Sequence, residues 1–320
     1  MRALQFDRTG SLEHLKLVEL PAPVLYPGQV LVRVTAAGIN PSDVKNVLGR
    51  FAYTRLPRVP GRDFAGEIVA GPAARIGQCV FGSGKELGFT VDGSHAGLVL
   101  VAEDGVVAMP DVLSAAQAAS LGVPYVTAWD GLQRAGAEAG TRVLIIGGGA
   151  VGRAALALAQ WRGAETVIAV RRTEQAEELA AAGHKVVVLA AETLSGALPS
   201  GIGAPADVVF DTTGAWTADC IEALAAFGRL VIIAAPSSGK VELPTLSLYR
   251  RGASLIGVNS LLYDTRVCAR VLERLAQGFV SGGLALPCHP VEWAATDGVA
   301  AYRALERGGS QKIVLTGFAS

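Results

Sequence analysis

The sequence predicts a two-domain α/β protein, in which a mostly β first part precedes a doubly wound unit of alternating strands and helices. Two patterns support this prediction. Up to about residue 110, short apolar runs are separated by Pro and Gly turns, which is typical of β-strands. From about residue 114, alanine-rich helical segments alternate with β-branched runs. With 320 residues, 51% of them hydrophobic, the chain can form two separate cores.

The first part contains several runs with strand character. They are RALQF, LKLVEL, QVLVRVTAAG, DFAGEIVAG, QCVFGSG and HAGLVLVA. Because Pro and Gly punctuate the chain between them, we expect a mostly β domain here.

The second part contains six β-branched runs that we interpret as strands of a buried parallel sheet. They are RVLIIG, ETVIAV, HKVVVLA, ADVVFD, GRLVIIAA and ASLIGV. The helices predicted between them include AVGRAALALAQWRG, TEQAEELAAAG and AWTADCIEALAAFG, each followed or closed by glycine. Strand, helix and strand in repetition predict a doubly wound sheet. After about residue 258, the helix YDTRVCARVLERLAQG, another helix and the strand QKIVLT follow, and we expect this tail to return to the first domain.

A glycine-rich loop follows the first strand of the predicted sheet. The strand RVLIIG leads into Gly147, Gly148, Gly149, Ala150, Val151 and Gly152, and a helix follows. In this pattern Gly147 permits the tight turn, Gly149 lets the backbone approach a pyrophosphate, and Gly152 lets the helix pack closely on the sheet. The N-terminus of the helix would then face the phosphates. The setting predicts a Rossmann domain that binds a dinucleotide.

The end of the second predicted strand indicates which dinucleotide is bound. An acidic residue about 20 positions after the glycines binds the ribose hydroxyls of NAD, but here the strand is followed by Arg171 and Arg172. Guanidinium groups suit a 2′-phosphate, because their planar donors match phosphate oxygens. Two solvated arginines at a strand end are the structural alternative. We expect NADP rather than NAD.

Composition excludes several other classes of protein. The 28 basic residues balance the 28 acidic ones, so no net charge attracts a nucleic acid or an anionic membrane surface. The longest stretch without a charged residue, 112–129, is interrupted by polar residues and Pro124, which excludes a transmembrane helix of about 20 apolar residues. We expect no nucleic acid and no membrane partner.

The N-terminus and the cysteines indicate a cytoplasmic protein. Asp7 and Arg8 interrupt the N-terminus before the apolar segment of a secretory signal can form. The four cysteines lack a CxxC pair and short, regular spacings, so we expect reduced thiols; they are Cys79, Cys220, Cys268 and Cys288.

Four segments together give the chain a family resemblance. They are VTAAGINPSDVKNVLG at 34–49, VPGRDFAGEIV at 59–69, LGVPYVTAWDGL at 121–132 and the glycine loop. On these segments the chain resembles the zinc-independent quinone oxidoreductase (zeta-crystallin-like) branch of the medium-chain dehydrogenase/reductase superfamily, over nearly its whole length. The resemblance implies a GroES-like catalytic domain (1–114 and 259–320) with an inserted Rossmann NADP-binding domain (115–258), and a cleft between them. It also implies a homodimer formed by edge strands of the cofactor sheets, here ASLIGVNS.

Zinc-dependent alcohol dehydrogenases are the alternative within this superfamily. The resemblance implies that they carry Cys where this chain has Asn40 and His where it has Arg62. Catalytic zinc needs about three N, S or O ligands from the protein, and the four-cysteine lobe of those relatives is missing from the sequence. The remaining histidines have no ligand-like spacing; they are His14, His95, His184 and His289. We therefore expect no metal.

Without zinc, another group must stabilise the charge that develops on the substrate oxygen. The resemblance makes Asn40 a contact to cofactor or substrate, although it could instead satisfy the turn before Pro41. Lys45 matches a lysine of enone-reducing relatives and could stabilise a forming enolate, or it could be a solvated helix residue. Tyr53 could donate from its phenol, or it could line an apolar surface with Phe51. Our catalytic candidates are therefore Lys45, Asn40 and Tyr53.

Two further cofactor contacts are implied by the resemblance, and two more are assigned by their position in the sequence alone. Thr127 matches the family threonine on the nicotinamide side, and Thr212 matches a segment that passes the adenosine half. Ala234 and Asn259 lie at the ends of the last two strands and would flank the nicotinamide. Arg62 departs from the usually uncharged family residue, so it could contact an acidic substrate group or pair with Asp63.

These observations predict an NADPH-dependent reductase of a quinone or an α,β-unsaturated carbonyl. Hydride would pass from the nicotinamide to the electrophilic carbon, while water supplies the proton. A non-catalytic, crystallin-like role in binding NADPH or RNA is the alternative from a different class, but the balanced charge argues against RNA. The substrate itself, and the choice between one-electron and two-electron reduction, stay open.

Overall fold

The computed structural model describes residues 1–189, 204–308 and 311–318. The chain divides into two compact units, Met1–Val126 with Ser260–Ser320, and Thr127–Asn259. No helix in the described ranges is both long and apolar enough to cross a bilayer.

The first unit is mostly β-structure. Its strands are β1 (Arg2–Gln5), β2 (Lys16–Glu19), β3 (Gln29–Ile39), β4 (Asp63–Ala70), β5 (Cys79–Gly82), β6 (Leu98–Ala102), β7 (Val107–Ala108), β14 (Val291–Ala294) and β15 (Ile313–Thr316). Its helices are α1 (Pro41–Val47), α2 (Ala115–Ala119), α8 (Thr265–Val280) and α9 (Gly298–Glu306). Short 3-10 turns lie at Leu12–His14, Ala73–Arg75, Glu103–Gly105, Ser260–Leu262 and Ala295–Asp297.

Strand β3 organises the larger sheet of this unit. The sheet has seven strands. Six of them run in the order β14-β15-β3-β4-β5-β7, and the seventh, β6, pairs with β3. Strands β1 and β2 form a separate antiparallel pair. The predicted return of the C-terminal tail is confirmed, because β15 pairs antiparallel with β3 from Ile313 opposite Ile39 onwards. The hydrophobic core of this unit contains packed side chains of β3, β4, β15 and α9, among them Val32, Phe64, Leu315 and Tyr302.

The second unit is the predicted doubly wound α/β domain. Its strands are β8 (Arg142–Ile146), β9 (Glu165–Val170), β10 (Val186–Val188), β11 (Ala206–Asp211), β12 (Leu224–Ile232) and β13 (Ser254–Gly257). Its helices are α4 (Ala150–Trp161), α5 (Thr173–Ala181), α6 (Thr217–Glu222) and α7 (Thr245–Arg250), and α3 (Gly122–Arg134) contributes its residues from 127 onwards.

The strand order of the second unit defines where a ligand binds. The order is β10-β9-β8-β11-β12-β13, and every neighbouring pair is parallel. The chain direction across the sheet reverses between β8 and β11, and open α/β sheets bind ligands beside the carboxyl ends of the strands at such a point. The predicted parallel sheet and the α/β fold class are confirmed.

One predicted helix is too long. The segment AWTADCIEALAAFG is predicted as helix throughout, but α6 ends at Glu222 and β12 begins at Leu224. Leu224 pairs with Ala206 of β11, and the register shifts before Val208. Phe227 lies in this irregular stretch with a φ of 60° and a 79% exposed side chain. Pairing with the neighbouring strand therefore outweighs the helix propensity of the alanine-rich segment.

Candidate active site

The glycine loop lies at the carboxyl end of β8 with the geometry that the sequence predicts. Gly147 has a φ of 98°, which favours glycine. Gly149 precedes α4 as its N-cap, and a Cβ there would meet no heavy atom within 4 Å. A Cβ on Gly152 would collide with the carbonyl oxygen of Gly147. The helix therefore packs closely on the loop through Gly152, whereas the space beside Gly149 is open.

Neighbouring side chains fix the loop from two sides. The carbonyl oxygen of Gly148 accepts hydrogen bonds from Gln175 Nε2 at 2.7 Å and from Arg153 Nε at 3.1 Å. Thr212 Oγ1, from the turn after β11, donates to the carbonyl oxygen of Ile146 at 2.7 Å. Side chains of α4, α5 and the turn after β11 thus hold the loop in place, a preorganisation that favours ligand binding.

A cavity of about 390 Å³ opens beside this loop. Three glycines of the loop, Arg171, Arg172, Gln175, Thr212 and Trp216 are among its lining residues. Both arginines are exposed and follow β9, and neither forms an ion pair with another described residue. The cavity therefore combines a loop that fits a pyrophosphate with two guanidinium groups outside any ion pair of the described chain, which fits a nicotinamide dinucleotide.

The remaining candidates of the second unit lie on two of its helices or after two of its strands. Thr127 is buried on α3, Ala234 follows β12, and Asn259 follows β13. Ala150, Val151 and Gly152 form the first turn of α4. None of these residues is among those that line the 390 Å³ cavity, so all of their cofactor contacts stay predictions.

In the first unit, a buried polar cluster surrounds Asn40, which directly precedes α1. Asn40 Nδ2 donates to Asp63 Oδ2 at 2.9 Å, and Asn40 Oδ1 accepts from Lys312 Nζ at 2.6 Å. Lys312 also forms an ion pair with Asp63 Oδ2 at 3.2 Å. The other carboxylate oxygen of Asp63 accepts from Ser83 Oγ at 2.8 Å and from the backbone N–H of Val123 at 2.9 Å. An amide, a carboxylate and an ammonium are therefore mutually satisfied in the protein interior.

Two more titratable side chains are buried close to this cluster. Asp43 Oδ2 accepts from the backbone N–H of Asn40 at 2.8 Å. Burial raises the pKa of Asp43 to about 7, and the negative charge of Asp63 adds to the increase. His95 contacts the carbonyl oxygen of Gly38 and the hydroxyl of Tyr302, and burial lowers its pKa to about 4. His95 is therefore a satisfied core histidine rather than a metal ligand.

Arg62 is fully buried and bound mainly to backbone oxygens. Its Nε donates to the carbonyl oxygen of Gly84 at 3.0 Å, and its Nη2 donates to the carbonyl oxygen of Ser260 at 2.9 Å. A further bond joins Nη1 to Ser260 Oγ at 3.2 Å. No ion pair links Arg62 with Asp63 among the described residues, so the pairing that the sequence left open is not formed.

The side chains at positions 40 and 62, Asn40 and Arg62, do not fit a zinc ion. Asn40 is engaged at both ends of its amide, and Lys312 and Arg62 carry positive charge into the same region. Within the described ranges, no group of three or more His, Cys, Asp or Glu side chains could hold a metal ion. Zinc in proteins is held by about three or four such N, S or O ligands, and Asn40 and Arg62 do not supply them.

The other two catalytic candidates of the first unit lie apart from the buried cluster. Lys45 is exposed on α1 and forms no ion pair with another described residue. The Tyr53 side chain is 49% exposed, and its ring centroid lies 5.8 Å from that of Phe51 and 5.6 Å from that of Phe89. Partial burial raises the pKa of its phenol. The aromatic contacts agree with the apolar role considered for Tyr53, while its exposure keeps the ring accessible to solvent.

Lys312 and the role of Asp63 were not identified from the sequence. Both stand in segments with a strand pattern, but Lys312 and Asn40 are 272 positions apart in the chain. No local spacing relates residues at such a distance. The available signal was a charged residue at the start of an apolar terminal strand, which is also typical of a solvated strand end.

Comparisons with known proteins agree with the fold. Residues 26–111 match the alcohol dehydrogenase GroES-like domain, and residues 150–277 match the zinc-binding dehydrogenase family. A zinc-type alcohol dehydrogenase-like protein of Schizosaccharomyces pombe is 34% identical over 324 residues, covering 99% of this chain and 96% of that protein. The chloroplastic NADPH-dependent alkenal/one oxidoreductase of Arabidopsis thaliana is 33% identical over 226 residues, covering 67% of this chain and 58% of that protein.

A solved structure extends the comparison to a quinone oxidoreductase. The enzyme from Thermus thermophilus, solved also in complex with NADPH, is 28% identical with a TM-score of 0.82, and 99% of this chain and 100% of that chain are covered. The chain therefore belongs to the medium-chain dehydrogenase/reductase superfamily. It has the GroES-like and Rossmann-like domains of these oxidoreductases, whose fold binds a nicotinamide cofactor.

The two glycines at the start of α4 should respond differently to the same added methyl group. We expect Gly149→Ala to change the unfolding free energy by less than about 1 kcal/mol, because its Cβ enters open space. The same methyl group occupies the space through which a pyrophosphate approaches, so cofactor affinity should fall at least tenfold, or about 1.4 kcal/mol. Fluorescence titration with the reduced cofactor and thermal unfolding measure both effects.

Gly152→Ala is the matched variant. Its Cβ collides with the backbone of the loop, so it should lower the unfolding free energy by about 1 to 3 kcal/mol. Normal cofactor affinity in a stable Gly149→Ala protein would show that the pyrophosphate does not approach this loop.

Proposed function

We propose that the protein is an NADPH-dependent oxidoreductase that transfers a hydride to a quinone or an α,β-unsaturated carbonyl without zinc. The observation that carries this proposal is the cluster of Asn40, Asp63 and Lys312, in which the Lys312 ammonium forms an ion pair with the buried Asp63 carboxylate. The Arabidopsis and Thermus proteins support the reaction class, since they are named an alkenal/one oxidoreductase and a quinone oxidoreductase. The residues at positions 40 and 62 support a reaction without zinc.

The second unit supplies the residues that would hold the cofactor. Backbone N–H groups at the start of α4 would bind the pyrophosphate, since the helix N-terminus carries partial positive charge. Arg171 and Arg172 would bind a 2′-phosphate through charge-assisted hydrogen bonds. When bound, the nicotinamide supplies the hydride. These residues support NADP as the cofactor over NAD.

The first unit supplies the groups that would act on the substrate. The Lys45 ammonium stabilises the oxygen on which negative charge accumulates as the carbon accepts hydride. Asn40 donates a hydrogen bond to cofactor or substrate, and Tyr53 is the alternative donor to the oxygen. Water supplies the proton that completes the reduced product. Thr127, Thr212, Ala234 and Asn259 complete the proposed cofactor contacts.

The proposed assembly is a homodimer through the edge strand β13. One side of β13 has no partner strand within the described sheet. Leu255 on this strand is 37% exposed, and the side chains of Tyr249 and Phe227 are exposed as well. An unpaired edge with apolar side chains is the kind of surface that a second copy covers.

A substrate panel tests the proposed function. The purified protein is mixed with NADPH or NADH and with quinones, enones or saturated ketones, and the absorbance of the reduced nicotinamide is followed while the products are identified. We expect consumption of NADPH with a quinone or an enone and none with saturated ketones. Binding of NADPH without turnover of any acceptor would instead indicate the non-catalytic role.

A further inference from the structure

Lys312 is a nearly buried ammonium whose hydrogen-bonding capacity is used within the protein. Its side chain is 10% exposed, and the Asp63 side chain beside it is 0% exposed. Nζ donates to Asn40 Oδ1 at 2.6 Å, to the carbonyl oxygen of Ile39 at 3.1 Å and to Asp63 Oδ2 at 3.2 Å. An ammonium has three N–H donors, and all three have acceptors here. Lys312 therefore has no donor left for a substrate or a cofactor.

The contacts of Lys312 determine the orientation of the Asn40 amide. The two ends of an asparagine amide have nearly the same shape, so hydrogen-bond partners decide which end is oxygen and which is nitrogen. Here the cation of Lys312 faces Oδ1, and the carboxylate of Asp63 faces Nδ2. The reversed amide would place its NH₂ group against an ammonium and its oxygen against a carboxylate. Both reversed contacts are repulsive, so the pair selects one orientation.

The selected orientation leaves a defined donor on Asn40. An asparagine NH₂ group has two N–H bonds, and Asp63 Oδ2 accepts from Nδ2 at 2.9 Å. The second N–H of Nδ2 forms no hydrogen bond with another described residue. The backbone N–H of Asn40 is held separately by Asp43 Oδ2 at 2.8 Å, so the residue is fixed through its main chain and both ends of its side chain.

We propose that Lys312 is a positioning residue that, with Asp63, fixes the Asn40 amide with one N–H available to the reacting groups. This inference rests on the proposed function, in which Asn40 donates a hydrogen bond to cofactor or substrate. Lys312 acts only through Asn40 and does not touch the reacting atoms. In this site the positive charge of Lys312 orients the neutral amide of Asn40, and this orientation does not require a metal ion.

A double-mutant cycle tests whether Lys312 acts through Asn40. The variants are Lys312→Met, Asn40→Ala and the double variant, with Lys85→Met as the control for an exposed lysine of the same unit. We expect Lys312→Met to lower kcat at least tenfold in the otherwise unchanged protein. In the Asn40→Ala background it should lower kcat by less than about twofold, because the residue that it positions is gone. Equal losses in both backgrounds would overturn the proposal.

A second variant addresses the same amide if Lys312→Met does not fold. Asp63→Asn keeps the size of the side chain and can still accept from Ser83 and Val123. The new side chain can present an NH₂ group to Asn40 Nδ2. The hydrogen bond through which Asp63 fixes the orientation of the Asn40 amide is then lost. We expect it to lower kcat at least tenfold, and again by less than about twofold in the Asn40→Ala background. An unchanged kcat in folded Asp63→Asn would contradict the proposal.

The side-chain amide signal of Asn40 provides a readout that does not depend on activity. In ¹⁵N-labelled protein, this signal is identified by its loss in Asn40→Ala. We expect its hydrogens to exchange slowly with solvent in the unchanged protein and at least tenfold faster in Lys312→Met or Asp63→Asn, but not in Lys85→Met. Unchanged exchange in all variants would overturn the positioning role. Failure of the unchanged protein to reduce any quinone or enone would refute the proposed function, while this measurement would still decide the positioning role.

Discussion

Replacing both Arg171 and Arg172 with alanine is expected to weaken NADPH binding at least tenfold and to leave NADH binding nearly unchanged. The two guanidinium groups line the cavity beside the glycine loop, and neither forms an ion pair with another described residue. A hydrogen bond to a charged group contributes about 1.5 to 3 kcal/mol, and solvent reduces this at exposed positions. Loss of both arginines should therefore cost at least about 1.4 kcal/mol of NADPH affinity.

Fluorescence titration of the reduced cofactors measures this effect. Arg250→Ala, an exposed arginine of the same unit, is the matched control and should bind NADPH as the unchanged protein does. Because NADH lacks the 2′-phosphate, its affinity reports any general damage to the cavity. Equal affinity of the unchanged protein for NADPH and NADH would contradict the assignment of the two arginines.

Replacing Lys45 with alanine is expected to lower kcat about 100-fold with little change in NADPH affinity. A donor aimed at an oxygen that becomes negative in the transition state contributes about 2.7 to 4 kcal/mol, which accounts for a loss of this size. The exposed ammonium on α1 forms no ion pair with another described residue, so it is available for such a contact. Steady-state kinetics with the best quinone or enone, NADPH titration and thermal unfolding measure the three effects.

The same variant distinguishes the catalytic role from a structural one. If Lys45 is only a solvated residue of α1, its removal should change stability by less than about 0.5 kcal/mol and leave the rate nearly unchanged. Lys16→Ala, at an exposed lysine on β2, is the control and should keep the original kcat. A normal kcat in Lys45→Ala would exclude it from the mechanism and move attention to Tyr53, Asn40 or water.

The parts of the fold that depend on neighbouring residues could be predicted from the sequence. A strand that leads into the glycine loop and then into a helix is a local pattern, and the structure contains it as β8, the loop and α4. The six parallel strands were predicted by the same means. Where local propensity and strand pairing disagree, as between α6 and β12, the sequence misled because Leu224 pairs with Ala206 of β11, and helix propensity carries no information on that pairing.

The polar cluster of the first unit could not be predicted in the same way. Asn40 was identified as a candidate through a family resemblance, but its partner Asp63 begins strand β4 and Lys312 lies at the far end of the chain. Only the pairing of β15 and β4 with β3 brings these three residues together. Charge, residue type and spacing did not contain that information, since the same lysine could equally have been solvated.

The most direct test of the proposed reaction is the turnover of NADPH and a quinone or enone by protein that has been treated with a chelator and analysed for metals. Asn40, Arg62 and Lys312 do not provide zinc ligands, so we expect substoichiometric zinc and a kcat within about twofold of the untreated protein. Stoichiometric zinc, with turnover that disappears on its removal and returns when zinc is added, would contradict the proposed mechanism.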